Sequence, residues 1–439
     1  MSRKQLLFDV YMQTLQEITP QRLITKQCRL ENEMLHINGT VYDLSRYKRI
    51  VLLGSGKAVI PMAEAVQELL GDKIIETLLV GPYTYTLQSP NTRYIKSSHP
   101  LPSPSSIDAA EALMQSLREL ESDDLFIYLL SGGNSALVEY PQEGITLEDY
   151  KAATSEMLRS GMPIKMMNSV RKHISKVKGG MLASMTQAEG IVLVLSDVIG
   201  DDLHAIGSGP LYCDRSTFAD AVDSLREYDI FEKIPKAVQR YLIDGVEGIH
   251  PETPKSPHKH ITHHILGSNS EVMRIAEQLL KSQGIVTCRV DTPMQGDTET
   301  VLKTLLKLLK DRSQQSYCYI LGGESTVKVT GIGRGGRNQH LALALLNTLD
   351  KEEKEITFLS ASTDGIDGNS GAAGALIDSH SRIQAMNHHL DPQHYLREFD
   401  SNTFFTATDE LLTPGPTHNN LLDIVLMLVE NPKYRRDDG

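Results

Sequence analysis

Long apolar runs are missing from this chain: no stretch of its 439 residues approaches the roughly 20 uninterrupted apolar residues that cross a bilayer, so no membrane-spanning helix is expected. The opening residues, MSRKQLLFDVYMQTLQEI, alternate charge and hydrophobicity as a helix does. They lack the apolar block and cleavage site of a signal peptide, and a cytoplasmic location is expected. Cysteine is scarce. Cys28, Cys213, Cys288 and Cys318 lie far apart and form no C-x-x-C pair, which argues against a disulfide framework or a cysteine zinc site and for reduced structural thiols. Net positive charge is absent too: 44 Lys and Arg against 56 Asp and Glu leave a formal −12, the wrong sign for a nucleic-acid or anionic-membrane surface. Any anionic ligand has to be held by local positive charge.

What the chain does have is length for two domains and a recurring pattern. Apolar runs that end abruptly in glycine, serine or aspartate recur as RIVLLGSGKA, LFIYLLSGGNSAL, IVLVLSDVIGDD, HHILGSNSEV, CYILGGESTV and ITFLSASTDGIDG. Each reads as a buried strand delivering a loop. Short β-branched runs separated by amphipathic segments point to parallel α/β sheets, whose ligands gather beyond the carboxyl ends of the strands. Helices are expected at 58–70, 105–120, 268–283 and 298–310. The segment 245–260, GVEGIHPETPKSPHKH, has no periodicity and marks a domain boundary or crossing. Its neighbouring histidines, His258, His260, His263 and His264, read as solvated or packed side chains rather than metal ligands.

The loops carry the chemistry. In 330–339, TGIGRGGRNQ, four glycines let backbone N–H groups approach an anion, a following helix adds partial positive charge, and Arg334 and Arg337 supply charged forks. Gly331, Gly333 and Gly336 also spell G-x-G-x-x-G. In a dinucleotide fold an acid would end the next strand about 20 residues on, whereas Asp350 has that spacing but precedes the strand. Gly54-Ser55-Gly56-Lys57 follows a strand and precedes a helix, which suits an anion. It is not a P-loop, because the first glycine of that motif is missing and Ala58 stands where Ser or Thr binds magnesium. Ser131-Gly132-Gly133-Asn134-Ser135 is a second donor-rich loop. Asp197, Asp201 and Asp202 sit at one strand mouth, and Asp364 and Asp367 at another. Magnesium takes one or two such carboxylates plus phosphate oxygens and water, although each aspartate alone serves equally as an N-cap or turn former. Glu324 reads either as a ligand for metal or a substrate hydroxyl, or as a partner for Arg334 or Arg337.

Taken in order, GSGKA, SHPLPSP, LLSGGNSAL, KHISKVKGG, LSDVIGDDLHAIGSGP, ETPK, ILGSN, LGGESTV, GIGRGGRNQ and TDGIDGNSGAAGA resemble the glycerate 2-kinase family, whose C-terminal part is the MOFRL domain. The resemblance implies a two-domain α/β enzyme: an N-terminal Rossmann-like three-layer sandwich at 1–245, a linker or crossing at 246–262, and a smaller α/β region at 263–439 with the MOFRL domain at about 317–425. Its active site is expected in the interdomain cleft. It implies phosphorylation of D-glycerate at the 2-hydroxyl by ATP with Mg2+, giving 2-phosphoglycerate. Lys57, Arg337 and Asp197 are then the expected catalytic residues. Gly54, Ser55, Gly56, Ser131, Gly132, Gly133, Asn134, Ser135, Glu324, Arg334, Asn338 and Asp364 would bind substrate or nucleotide, and Asp197, Asp201 and Asp367 would hold metal. The oligomeric state, a homodimer included, is left open. The sequence departs from the family pattern at Ser103, Asn134, His340 and 416–423. Two other readings stay open: an NAD(P)H-dependent hydroxypyruvate reductase, and a non-catalytic module for sugar acids or phosphates.

Overall fold

The computed structural model describes residues 2–86, 91–310, 316–349 and 355–430; Asp350 lies outside the described residues. The chain forms two compact units, one of residues 23–266 and one of residues 1–22 with 267–439. This division differs from the expected one at both ends. The 246–262 segment belongs to the first unit, where it leads into the strand Ile261–Gly267. The opening helix Arg3–Glu17 belongs to the other unit: its Tyr11 hydroxyl donates to the Ser362 carbonyl at 2.7 Å, and Leu7, Val10 and Tyr11 are buried. Periodicity revealed that helix and its apolar face but not the surface the face would cover.

In the unit of residues 23–266, six strands lie in the order Thr92–Lys96, Ile74–Gly81, Ile50–Ser55, Leu125–Leu130, Glu189–Leu195, Ile261–Gly267. By order of appearance that is third, second, first, fourth, fifth, sixth, the Rossmann-like arrangement. The first five pair in parallel. Residues of both parities are buried in the central strands, Leu52 with Leu53 and Ile127 with Tyr128, so both faces are covered and the unit has three layers. The helix Val59–Leu70 follows the first strand and Pro104–Arg118 the third. Ser103 starts the latter through a reciprocal capping box with Ser106. A cluster of helices, Leu147–Arg159, Ile164–His173, Phe218–Glu227 and Lys236–Val246, packs around Tyr150, Met157, Val170, Phe218 and Leu225.

The other unit holds a mixed sheet rather than the parallel one expected. Its order is Thr287–Arg289, Tyr317–Thr326, Asp423–Glu430, Glu355–Ser362, Gly374–Asp378, Leu411–Leu412, with Met294–Asp297 also on Tyr317–Thr326. Asp423–Glu430 runs antiparallel between Tyr317–Thr326 and Glu355–Ser362. This central strand, DIVLMLVE, is buried throughout. Its register sets Asp423 opposite Gly323 on one side and Ser362 on the other.

Candidate active site

In the first unit the strand order reverses between Ile50–Ser55 and Leu125–Leu130, because successive strands are added outward from these two in opposite directions. Ligands of open α/β sheets bind beyond the carboxyl ends of strands at such a reversal. The two loops that open there are 56–58 and 131–135, and the Asp197 loop follows on the next strand. Lys57 N–H donates to the Gly132 carbonyl at 2.9 Å and Ala58 N–H to Ser131 Oγ at 3.1 Å, which ties the loops together. Gly56 has φ 136°, and a Cβ there would collide with Ser131 Oγ, so glycine is required.

Three side chains converge over the second loop. A Cβ on Gly132 would collide with Asp197 Oδ2, and one on Gly133 would lie 3.2 Å from both Lys57 Cγ and His99 Cδ2. Among the described residues, no backbone acceptor takes the Gly132 and Gly133 N–H groups. Burial pushes the Asp197 carboxyl above the ordinary aspartate range, opposed by its own backbone N–H and the Lys57 charge. Partial burial, and then the Lys57 charge, push the His99 imidazole down to about 4, so it is neutral at pH 7. Sequence reasoning quoted His99 inside SHPLPSP without giving it a role. The helix Val59–Leu70 has no acid in its first turn, and of that turn's residues Val59 donates its N–H to the Gly56 carbonyl while Pro61 has none to offer. If Gly132 matters because it lets Asp197 approach, Gly132→Ala should displace that carboxylate. The expected result is a fall in turnover of about a hundredfold with the melting temperature little changed; near-normal turnover would count against the role given to Asp197.

Several residues expected to bind ligand are hydrogen-bonded within the protein. Ser55 Oγ lies 2.6 Å from the Tyr128 hydroxyl and donates to Asn134 Oδ1, while Asn134 Nδ2 donates to the Gly207 carbonyl at 2.9 Å; both residues are buried. Ser131 Oγ accepts the Ala58 N–H, and Ser135 Oγ lies 2.6 Å from Ser208 Oγ. These side chains shape the loops. Beneath them, buried Lys178 donates to the Ser135 carbonyl at 2.9 Å and pairs with Glu139 at 2.6 Å. Asp202 Oδ1 accepts the His204 N–H and Asp201 sits in a turn at φ 54°, so both act as turn formers. Among the described residues no three His, Cys, Asp or Glu side chains form a metal-binding cluster. His264 is packed, with Nε2 at 2.7 Å from the Tyr42 hydroxyl.

In the second unit Arg337 of the glycine-arginine loop is engaged by two protein carboxylates. Arg337 opens the helix Arg337–Thr348 and grips Asp423 bidentately, Nε to Oδ2 at 2.6 Å and a terminal nitrogen to Oδ1 at 3.0 Å. Its other terminal nitrogen pairs with Glu324 at 2.9 Å, so Glu324 is the arginine's partner. Asp423 is 1% exposed. Sequence reasoning missed it as a site residue.

Asp367 caps the same helix: Oδ1 accepts the Asn338 N–H at 3.1 Å, and Oδ2 accepts the Gln339 N–H at 2.9 Å and its Nε2 at 3.0 Å. With its oxygens so engaged Asp367 is a cap, not a metal ligand. Asn338 is also internal, its Oδ1 accepting from Ser360. Asp364 Oδ1 closes a turn by accepting from Ser362 and the Ile366 N–H. The helix end where a dinucleotide's pyrophosphate would lie is therefore filled by a protein carboxylate. Moreover, Tyr317–Thr326 and Glu355–Ser362 are separated by an antiparallel strand, so they are not the adjacent parallel pair of a dinucleotide βαβ unit. Gly331 and Gly333 are required where the loop passes against the backbone of 398–400, since a Cβ on either would strike the Glu398 carbonyl. Arg334 remains exposed, with its backbone N–H donated to Asp400.

Burial raises the Asp367 carboxyl to about 6, against the hydrogen bonds from Gln339 and Asn338 that favour its ionised form. A group whose folded pKa exceeds its unfolded value stabilises the fold below the unfolded pKa and loses that contribution as pH rises through the folded one. The stability of the wild type relative to Asp367→Asn should therefore fall between about pH 4 and pH 6. Thermal melts of both proteins across that range check it, and a pH-independent difference would refute the assignment.

The same unit holds a cavity of about 540 Å³, bounded by Glu324, Arg337, Val327, Val329 and the parallel rings of His340 and Phe399.

The comparisons with known proteins agree with this architecture. A family described as a domain of unknown function, DUF4147, matches residues 6–243, and the MOFRL family matches residues 317–423. A glycerate 2-kinase of Pyrococcus horikoshii is 32% identical over 423 residues, 95% of each chain. A relative from Agrobacterium vitis, 35% identical and covering 87% of this chain and 99% of its own, carries a provisional hydroxypyruvate reductase name. The solved structure of glycerate kinase from Thermotoga maritima matches with a TM-score of 0.84 at 32% identity, covering 97% of this chain and 99% of that one. Two family domains in order and a full-length relative at this identity mean that the chain belongs to the glycerate 2-kinase family with a C-terminal MOFRL domain.

Proposed function

We propose that this chain transfers the γ-phosphoryl group of ATP to the 2-hydroxyl of D-glycerate, giving 2-phosphoglycerate and ADP. The observation that carries the reading is the convergence of Lys57, Asp197 and the Gly132–Gly133 backbone where the strand order reverses. Family membership supplies the substrate class. A loose phosphoryl-transfer transition state asks the protein for positioning and charge neutralisation rather than covalent chemistry. Lys57 neutralises charge on the transferred group, and the Gly132 and Gly133 N–H groups donate to ligand oxygens. Asp197 orients the 2-hydroxyl and takes its proton as the new O–P bond forms and the bond to ADP breaks. Its carboxylate also fits magnesium, which needs only one or two protein carboxylates beside phosphate oxygens and water. Magnesium, when bound, would spread the charge of the ATP phosphates. The arginine loop supports turnover indirectly, by fixing the fold around Asp423.

The test is ADP release from ATP and magnesium with and without D-glycerate. Glycerate-dependent ADP is the expected result. Its absence, together with NADH or NADPH oxidation on hydroxypyruvate, would replace this reading with the reductase one.

A further inference from the structure

We infer that His99 is a specificity-determining residue: its imidazole meets the 3-hydroxyl of D-glycerate, the one that is not phosphorylated, beside Lys57 and the Gly133 backbone. The inference rests on the proposed glycerate reaction and adds how that substrate is told from an acid lacking the second hydroxyl.

Placement is the first argument. His99 follows the edge strand Thr92–Lys96, and its loop is tied to the segment that carries Gly132 and Gly133. Ser97 donates its N–H to the Gly81 carbonyl at 2.9 Å and its Oγ to the Leu137 carbonyl at 2.7 Å. Farther on, the Ser106 carbonyl accepts the Glu139 N–H at 3.2 Å. Leu137 ends the short helix Asn134–Leu137 that continues from Gly133. Gly133 itself, at φ 88°, has no side chain to hold the ring away: a Cβ there would lie 3.2 Å from both His99 Cδ2 and Lys57 Cγ. The ring and the lysine stem therefore flank one point of the loop.

Availability is the second argument. Among the described residues neither ring nitrogen of His99 has a hydrogen-bond or ion-pair partner, whereas Ser98 before it donates to Ser103 after it at 2.7 Å. The residue is exposed, so a ligand can reach the ring.

Chemistry is the third. The Lys57 ammonium and the Gly132 and Gly133 N–H groups only donate, and an ionised Asp197 only accepts. Partial burial and the Lys57 charge hold the His99 pKa down to about 4, so at pH 7 its neutral ring donates from one nitrogen and accepts at the other. A hydroxyl group does both in return, while a phosphate or carboxylate oxygen would use only the donating nitrogen. With Asp197 on the 2-hydroxyl, the 3-hydroxyl is left for His99.

D-Lactate keeps the carboxylate and the 2-hydroxyl of D-glycerate in the same configuration and carries a methyl group in place of the hydroxymethyl. Steady-state kinetics of the full chain with ATP and magnesium, giving KM for D-glycerate and Ki for D-lactate as its competitor, therefore isolate the contact. Wild type should favour glycerate about tenfold, a modest factor because an exposed imidazole left without the hydroxyl regains water. His99→Ala should raise the glycerate KM about tenfold while kcat and the lactate Ki stay within about twofold. His99→Asn, whose amide also donates and accepts, should recover part of the preference. A histidine acting only through packing on the loop or on Lys57 would, when removed, weaken both acids together or lower kcat. Either result overturns the inference, as does an unchanged glycerate KM or a wild type without preference for glycerate. The two proposals fail in different ways: wild type without glycerate-dependent ADP release defeats the reaction and this contact with it. An active wild type whose alanine variant treats both acids alike loses only the contact.

Discussion

Lys57→Ala is expected to lower glycerate-dependent ADP formation by about a thousandfold, on the scale seen when one positioned charge or donor is removed from a phosphoryl or acyl transfer site. The fold should survive. The backbone N–H of Lys57, not its ammonium, links the two loops through the Gly132 carbonyl, and alanine keeps that link. The site's charge balance would change, because the Lys57 charge pulls the Asp197 carboxyl toward ionisation against burial. Loss of the lysine should therefore carry the Asp197 pKa further up and move the acidic limb of the pH–rate profile toward neutrality. Equal falls in kcat and kcat/KM would identify an interaction made in the transition state. Retention of near-normal turnover would remove Lys57 from the mechanism.

Arg337→Ala is expected to act chiefly on stability. It would strand Asp423, a carboxylate 1% exposed on the central strand, without its bidentate partner. Breaking a buried pair by deleting one partner costs on the order of 3 kcal/mol, which thermal melting would show as a clear downward shift. Arg337→Lys should recover only part, since an ammonium cannot reproduce the fork. The added change Asp423→Asn should restore stability to the alanine variant by removing the stranded charge. If Arg337→Ala melts like wild type yet loses turnover, the arginine acts on the substrate and the structural role given to it here is wrong.

These two residues also show where sequence reading succeeds and stops. Lys57 was legible because its signal is local: an apolar run, two glycines, a lysine and a helical pattern within a few positions, which the structure renders as Ile50–Ser55, a tight turn and Val59–Leu70. The helices expected at 268–283 and 298–310 likewise match Asn269–Ser282 and Thr298–Leu309, since amphipathic period and capping are local properties. Arg337 was legible as a charge but not as a partner. Asp423 is 86 residues away, and only the pairing of its strand beside Tyr317–Thr326 brings them together. The run DIVLMLVE reads as a strand, yet nothing in its letters says that it is central or antiparallel. That strand, with the antiparallel pairs made by Gly374–Asp378, turns an expected parallel sheet into a mixed one, and its place between Tyr317–Thr326 and Glu355–Ser362 removes the dinucleotide reading of Gly331, Gly333 and Gly336. Asp367 failed for a related reason: a carboxylate that caps a helix and one that holds magnesium look alike in sequence, and only the Asn338 and Gln339 N–H groups decide between them.

The position of phosphorylation is the most direct test of the proposed reaction. Purified protein is mixed with ATP, magnesium and D-glycerate, and the product is passed to enolase, which consumes 2-phosphoglycerate without a mutase. The proposal predicts ADP and enolase product in equal amounts from the first turnovers. ADP release that yields enolase product only after a phosphoglycerate mutase is added would place the phosphate on the 3-hydroxyl and contradict it.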